Sequence, residues 1–256
     1  MNSFQKDLLA VKVYSTRDEM GRSAAEDIKT CILALLQTQD HVNMIFAAAP
    51  SQNEVLAALA EDGDIPWNRV NAFHMDEYIG LPAHAPQAFG RFLQDHIFGI
   101  VNFKSVSRMD ITASDTEQEC ERYASLLQKY PTDIVVMGIG ENGHIAFNDP
   151  PVADFHDPKA VKAVELDEVC RTQQVHDGCF ATLDAVPKTA ITLTVPTLFA
   201  GKHLFCIVPA ATKAQAVRAT LCGEIGEACP ATVLRLHKSA VLYLDGDSSA
   251  LLPYAL

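Results

Sequence analysis

Short apolar runs alternating with longer helical segments constrain the fold of this 256-residue chain most. Most of these runs are continuously apolar, which is typical of strands that helices cover on both faces of a mostly parallel sheet. We therefore predict an α/β fold with a single Rossmann-like, doubly wound sheet and helices on both faces. The predicted strands are 11–14, 42–48, 69–75, 133–139, 189–195, 203–208 and 240–244, and the predicted helices are 18–37, 51–61, 116–129 and 211–222.

The chain has no linker rich in Pro, Gly or Ser, so we predict one domain over residues 1–256. Residues 150–188 are its least regular part, and they predict a lid or an insertion. Thr16 lies just before one predicted helix and Ser51 begins another, and each is followed three residues later by a glutamate. That spacing predicts a capping box at both helix starts.

Composition excludes several classes of partner. The formal net charge of −12 repels nucleic acids, whose binding depends on Lys and Arg, but a few amides and cations can still hold one phosphate. No apolar run approaches the roughly 20 residues of a membrane span. The seven cysteines include no C-x-x-C pair and indicate reduced thiols, so we expect a cytoplasmic protein.

The segment 138–151, GIGENGHIAFNDPP, directly follows a predicted strand. Ligands of doubly wound folds collect at the carboxyl ends of strands, and the glycines of this segment let the backbone approach a ligand closely. His144 can exchange protons near neutral pH, and Glu141 or Asp149 can hold its ring in one tautomer. A lone histidine in such a turn is more often one held by backbone groups, but the glycines and the two acids around His144 favour a role in proton transfer.

Asp76 is a second candidate for acid–base chemistry. It follows the apolar strand 69–75, where a partly desolvated carboxylate can act as a base. Carboxylates are also frequent in turns after strands, so the spacing alone leaves both interpretations open.

A metal or a dinucleotide is less well supported by these segments. Candidate metal ligands are present, but they lack a signature such as H-E-x-x-H, so we predict no metal. They are His74, Asp76, Glu77, His144 and Asp149. Gly138-x-Gly140 lacks the third glycine and the acid of a dinucleotide fingerprint, so we predict no dinucleotide site.

Two other strand ends indicate an anion site. Ser51 would begin a helix after the strand 42–48, and a helix start presents free amides to an anion. Lys213 follows the strand 203–208 near another helix start, where the helix dipole disfavours a cation unless an anion lies nearby. Lys213 could otherwise be a solvated residue of a first helical turn.

Two long motifs, MDEYIGLP (75–82) and GIGENGHIAFNDPP (138–151), resemble those of the glucosamine-6-phosphate deaminases (isomerases). The resemblance continues through ELDEVCRTQQ, VPKTAITLTVPTL, ATKAQAV and CPATVLRLH, and so covers nearly the whole chain. The related 6-phosphogluconolactonases share the fold and a GHxA stretch, but they continue into an SLFP-like segment where this chain has FNDP. The resemblance implies aldose–ketose isomerisation of a 2-amino-2-deoxyhexose 6-phosphate with loss of ammonia and without a cofactor.

The resemblance also implies residue roles. Asp76 would move the C2 proton to C1, and His144 would protonate the ring oxygen with support from Asp149 and Glu141. Arg171 and Lys213 would hold the phosphate together with amides near Ser51. The full set of implied substrate-binding residues is Ala48, Ala49, Ser51, Gln52, Glu77, Gly140, Asn142, Arg171 and Lys213.

The chain departs from the family pattern at three places. Residues 47–52, AAAPSQ, stand where typical members carry a glycine-bearing phosphate loop of the SGGSTP or TGGTP kind. Asp149 stands where many members have Glu, and Asn142 where several have Asp. The choice of sugar is therefore open.

Two other functions remain open at this point. The first is a lactonase-type hydrolase, and the second is a non-catalytic sugar-phosphate sensor like those of transcription regulators. No DNA-binding segment is apparent in the chain, and Asp76 and His144 are present together, which favours an enzyme. The sequence is also compatible with a homo-oligomer.

Overall fold

The computed structural model describes residues 2–82 and 84–253, and its central sheet has eight strands. The strands of the molecule are β1 (Asn2–Lys6), β2 (Leu9–Val13), β3 (Val42–Phe46), β4 (Val70–His74), β5 (Asp76–Tyr78), β6 (Ser105–Ser107), β7 (Ile134–Met137), β8 (Val161–Glu165), β9 (Thr189–Leu193), β10 (His203–Val208) and β11 (Ala240–Leu244). The helices are α1 (Arg17–Leu35), α2 (Asn53–Glu61), α3 (Phe89–Leu93), α4 (Thr116–Lys129), α5 (Glu168–His176), α6 (Val195–Phe199) and α7 (Ala214–Cys222).

The central sheet has the order β1-β2-β11-β10-β7-β3-β4-β6, and each neighbouring pair is parallel except β1 with β2. Met44 and Phe46 of β3 share an apolar cluster with residues of α1 and α2, whereas Ile45 between them belongs to a second cluster with α4 and α7. Because successive strand side chains point to opposite faces, helices cover the sheet on both sides. The predicted doubly wound α/β fold is confirmed.

A second, three-stranded antiparallel sheet has the order β5-β9-β8. It contains the predicted strand 189–195 as β9, so placing that strand in the central sheet is wrong. The apolar run 189–195 indicates a buried strand but does not specify which strand it pairs with. β5 has only three residues, which is too short to show hydrophobic periodicity. Because β5 begins two residues after β4 ends, the chain leaves the central sheet at its carboxyl edge, with Asp76 at the start of β5.

The two predicted capping boxes have different outcomes. The side chain of Thr16 accepts a hydrogen bond from the backbone N–H of Glu19, which confirms it as the N-cap of α1. Ser51 is not a cap, because Pro50–Gln52 forms a short 3-10 turn before α2 and Gln52 takes the N-cap position. Glu54 instead forms an ion pair with Arg17 of α1 at 2.8 Å, a tertiary contact that the local sequence does not reveal.

The irregular segment 150–188 contains β8 and α5. Its role as a lid or an insertion stays a prediction. The seven cysteines are free thiols, as expected from their spacing. Within residues 2–82 and 84–253, no helix combines the length and the hydropathy that crossing a membrane requires.

Candidate active site

A cavity of about 70 Å³ lies at the carboxyl edge of the central sheet, among residues that follow β3, β4, β7 and β10. Parallel strands bring their carboxyl ends to one edge, so loops distant in sequence meet there. The cavity brings together eight of the predicted site residues, namely Ala48, Ala49, Ser51, Gln52, Asp76, Gly140, His144 and Lys213.

His144 is held by a compact polar network in the loop after β7. Its Nδ1 lies 2.9 Å from Oδ1 of Asp149 and 2.8 Å from Oδ1 of Asn142. The side-chain amide of Asn142 also donates to Asp149 Oδ1 at 2.9 Å. Because both ring partners present oxygen acceptors, Nδ1 carries the proton and Nε2 is left as the nitrogen available to a substrate.

The electrostatics of Asp149 favour an ionised carboxylate. Burial alone raises the pKa of Asp149, but the hydrogen bond and charge of His144, together with the amide of Asn142, outweigh burial and lower it. An ionised Asp149 orients the His144 ring by accepting a hydrogen bond from its Nδ1–H. Glu141, the other predicted support, lies elsewhere: its Oε2 is 3.3 Å from Nδ1 of His176 on α5.

Two glycines explain the local backbone of this loop. A Cβ at Gly140 would lie 2.1 Å from the His144 ring, so the ring packs directly on the backbone there. Gly143 has a φ of +85°, and a Cβ there would lie 2.5 Å from Sγ of Cys229. Both positions exclude a side chain, which is why the loop is rich in glycine.

Asp76 has a different environment. It is 7% exposed, and burial followed by the charge of the adjacent Glu77 raises its pKa well above the usual value. No hydrogen bond to its carboxylate is formed within the described part of the chain. A desolvated carboxylate without donors takes up a proton readily, as a catalytic base must.

Glu77 does not line the cavity, although it was a predicted substrate-binding residue. Its carboxylate accepts hydrogen bonds from the backbone N–H groups of Tyr78, Phe89 and Gly90 at 2.7 to 2.9 Å. Phe89 and Gly90 form the first turn of α3, whose free amides attract a carboxylate. The contacts of Glu77 therefore anchor α3 beside the cavity.

The loop after β3 forms another part of the cavity wall. Gln52 is fully buried, and its Nε2 donates to the backbone oxygen of Ile207 and to Ser51 Oγ. Its Oε1 has no hydrogen-bond partner among residues 2–82 and 84–253. Ala49 has a φ of −159° and a ψ of 156°, an extended conformation open to any residue. At Ala49 the backbone of this loop does not require glycine.

Lys213 brings a buried positive charge to the same cavity. It is 6% exposed, and burial lowers its pKa, with Asp177 and Glu141 among the charges that oppose the shift. No carboxylate of the described residues lies within ion-pair distance of its ammonium group. A buried ammonium without a paired carboxylate favours binding of an anionic group.

Arg171 is not brought into the cavity. Its guanidinium donates to the backbone oxygens of Leu183 at 2.7 Å and Val186 at 3.0 Å, and so connects α5 to the segment that follows it. His74, which was considered as a metal ligand, is buried, and its Nε2 accepts from the N–H of Met109 at 2.7 Å. Burial lowers the pKa of His74 to about 3, so its ring is neutral.

Several cavity residues were not predicted from the sequence. Gln173 and Gln174 of α5, and Asp177 just after it, line the cavity together with Phe89 and Phe147. The polar run TQQ at 172–174 was part of the family resemblance, but no periodicity indicated that α5 covers a site. Gln173, Gln174 and Asp177 reach the cavity only because α5 packs over it in the folded chain.

A carboxyl group with a raised pKa, an oriented histidine and a buried cation lie on one cavity, an arrangement that suits proton transfer on an anionic ligand. Residues 15–243 match the family of glucosamine-6-phosphate isomerases and 6-phosphogluconolactonases. The chain is 31% identical over 250 residues to glucosamine-6-phosphate deaminases of Bacillus cereus (strain G9842) and Bacillus thuringiensis (strain Al Hakam), with 98% of this chain and 90% of each relative covered.

Solved structures agree with these matches. A monomeric glucosamine-6-phosphate deaminase superimposes with a TM-score of 0.85 at 27% identity, covering 94% of this chain and 99% of that one. The 6-phosphogluconolactonase of Trypanosoma brucei superimposes with a TM-score of 0.80 at 17% identity, covering 98% of this chain and all of that one, and shows the shared fold. The chain therefore belongs to the glucosamine-6-phosphate isomerase/6-phosphogluconolactonase family and is an enzyme of carbohydrate metabolism.

Proposed function

We propose that this enzyme converts an amino-sugar phosphate, glucosamine 6-phosphate or a close analogue, into a ketose phosphate and ammonia. The observation that carries the proposal is the presence of Asp76, with its raised pKa, on the same cavity as the oriented His144. An aldose–ketose isomerisation needs one group to open the sugar ring and another to move a proton between neighbouring carbons.

In the proposed mechanism, His144 Nε2 donates a proton to the ring oxygen as the C1–O bond breaks, and it then takes up the proton of the C1 hydroxyl to give the open-chain aldehyde. Ionised Asp76 removes the proton from C2 while His144 returns its proton to the C1 oxygen, which forms an enolamine, and Asp76 then delivers its proton to C1. The resulting C2 iminium adds water and loses ammonia, leaving the ketose. Asp149 stabilises the charged His144 during the first step.

Lys213 and the loop 47–52 supply the phosphate site in this proposal. The Lys213 ammonium provides the charge, and Ser51 and Gln52 supply polar groups on the same cavity. The replacement of the usual glycines by alanines keeps the backbone N–H donors, because alanine retains its amide. The added methyl groups narrow the cavity and limit which sugar it accepts.

The volume of the cavity bears on the predicted lid. About 70 Å³ is less than the roughly 300 to 1,000 Å³ of typical ligand sites, so a sugar phosphate needs more room. Gln173 and Gln174 of α5 line the cavity. We infer that α5, within the predicted lid 150–188, moves outward to admit the substrate.

The test is release of ammonia and ketose phosphate over a panel of amino-sugar phosphates that differ in configuration at C2 and C4. Hydrolysis of 6-phosphogluconolactone is assayed in parallel. We expect ammonia and ketose phosphate in equal amounts from at least one amino sugar, and their loss in Asp76→Asn. Lactone hydrolysis without ammonia release contradicts the proposal in favour of a lactonase, and no turnover of either class favours a sugar-phosphate sensor.

A further inference from the structure

The thiol of Cys170, on α5, lies close to His144 and Asp149. One imidazole nitrogen of His144, one carboxylate oxygen of Asp149 and Cys170 Sγ all lie within 4.8 Å of one another. The three residues are 7%, 0% and 1% exposed, respectively. Two elements form the cluster, because Cys170 comes from α5 and the other two residues come from the loop after β7.

One atom of this cluster lacks a well-aligned partner. His144 and Asn142 bond Asp149 Oδ1, whereas Asp149 Oδ2 is buried without a hydrogen bond of good geometry among the described residues, and the contacts of this carboxylate with the Cys170 thiol and the Asp167 backbone N–H are weaker. A buried carboxylate oxygen that is so weakly paired is costly, so it marks a place where a cation is favoured. This oxygen belongs to the same residue that contacts the imidazole and the thiol.

The donor set determines which cation fits. One imidazole nitrogen, one carboxylate oxygen and one sulfur suit Zn²⁺ or Cd²⁺, whereas Mg²⁺ and Ca²⁺ prefer oxygen alone. Ligands of one tetrahedral Zn²⁺ lie roughly 3.3 to 3.6 Å apart, given metal–ligand bonds of about 2.0 to 2.3 Å. Side-chain shifts of about 1 Å bring the cluster to that geometry.

We propose that His144, Asp149 and Cys170 form a site for a thiophilic divalent cation such as Zn²⁺, and that its occupation inhibits the enzyme. The ionised carboxylate and a thiolate together balance the two charges of the metal, so the buried site becomes neutral. This ligand set differs from the acids and histidines considered from the sequence, because Cys170 replaces His74, Asp76 and Glu77.

Metal binding has a defined proton balance. The Cys170 S–H bond breaks, the sulfur forms a bond to the metal, and the thiol proton goes to solvent. The Nδ1 lone pair of His144 also binds the metal, so the ring proton moves from Nδ1 to Nε2. The metal then occupies the position from which Asp149 orients His144, so His144 no longer passes a proton to the ring oxygen and the ring-opening step stops. This inhibition rests on the proposed function, whereas the binding itself does not.

The binding experiment uses Cd²⁺ alone, titrated into the full chain after removal of metals with a chelator. Binding is followed by the thiolate-to-cadmium charge-transfer absorption in the ultraviolet and by calorimetry. We expect Cys170→Ser to remove one thiolate–cadmium equivalent and to weaken binding at the site by about tenfold or more. Asp149→Asn should weaken binding with the thiol intact.

Cys222→Ser is the matched control, because Cys222 is an exposed thiol distant from the cluster in sequence. Unchanged absorption in Cys170→Ser, or an equal loss in Cys222→Ser, overturns the site. Thermal unfolding checks that each variant folds. If Cys170→Ser does not fold, the binding of Cd²⁺ to Asp149→Asn tests the site.

The inhibition is tested separately with Zn²⁺ and the ammonia assay. We expect the wild-type rate to fall with the occupancy measured by calorimetry and to return after chelation, and Cys170→Ser to need about tenfold more Zn²⁺. Full activity at saturating Zn²⁺ overturns the inhibition. An enzyme that never releases ammonia overturns the proposed function, while the Cd²⁺ absorption still reports the site.

Discussion

Two regions at the cavity, one lining it and one behind the His144 that lines it, hold carboxylates whose pKa values are shifted in opposite directions. Asp76, where β4 gives way to β5, has no hydrogen-bond donor among the described residues, and burial raises its pKa. Asp149, in the loop after β7, contacts His144 and Asn142, which lower its pKa despite burial. Groups with opposite shifts in one site separate the functions of base and charge stabiliser. In the proposed mechanism, this difference corresponds to proton removal by Asp76 and orientation of His144 by Asp149.

The largest expected effect comes from Asp76→Asn. Loss of a positioned base lowers kcat by about 10²- to 10⁴-fold, measured as ammonia release. The same change raises the melting temperature at neutral pH, because burial of the ionised carboxylate opposes folding.

The sign of this stability effect follows from the raised pKa of Asp76. The folded state binds the Asp76 proton more tightly than the unfolded state, so this group stabilises the protein at low pH and loses that contribution as pH rises through the folded pKa. The gain from Asp76→Asn should therefore shrink on acidification. A gain that is constant from pH 4 to pH 8 contradicts a raised pKa.

The second prediction addresses the other region. His144→Gln and Asp149→Asn should each lower kcat/KM by about 10²-fold or more, because each disables the same proton transfer. Their effects should be non-additive in a double-mutant cycle, with the double variant close to the worse single variant. Fully additive losses would indicate two independent roles. Asp76→Asn combined with either variant is the reference for this cycle, because Asp76 moves the proton between C2 and C1 rather than opening the ring.

The third prediction is smaller and tests the anion site. Lys213→Met should weaken binding of a phosphorylated sugar by about 10- to 100-fold, or roughly 1.5 to 3 kcal/mol, and leave the unphosphorylated sugar nearly unchanged. Calorimetry with both ligands measures the difference. Lys202→Met is the control, because Lys202 pairs with Asp133. Equal weakening of both sugars by Lys213→Met removes the phosphate site.

The smallest effect is expected from Glu77→Gln, which changes the residue next to Asp76 in β5 and so tests what raises the pKa of Asp76. The charge of Glu77 contributes to the raised pKa of Asp76, so its removal should lower that pKa and move the acid limb of kcat/KM to lower pH. The melting temperature should fall, since an amide cannot accept all three backbone N–H groups. An unchanged acid limb means that Asp76 does not determine it.

The parts predicted correctly from the sequence are those with a strong local cause. Apolar runs specified the central strands, because strands covered on both faces need continuous apolar residues. The cap at Thr16 depends on groups three residues apart, and it was also predicted correctly. The cavity residues at strand ends followed from the topology of a parallel sheet.

The parts that were missed depend on distant contacts. The interaction of Glu54 with Arg17 and the donation from Arg171 to the oxygens of Leu183 and Val186 join segments whose pairing no local pattern encodes. β5 is too short for a period of its own, and α5 has polar residues on the face that covers the cavity. The sequence indicated only that Cys170 is a small buried apolar residue, because its proximity to His144 and Asp149 is apparent only in the folded structure.

Transfer of the substrate C2 proton tests the central claim most directly. Glucosamine 6-phosphate labelled with deuterium at C2 is converted in ordinary water, and the ketose phosphate is analysed for deuterium at C1 by NMR. If Asp76 removes and returns the proton on one face, some deuterium appears at C1, ammonia release shows a primary isotope effect, and Asp76→Asn abolishes both. Deuterium at C1 and ammonia release at the wild-type rate in Asp76→Asn would contradict the assignment of Asp76 as the base.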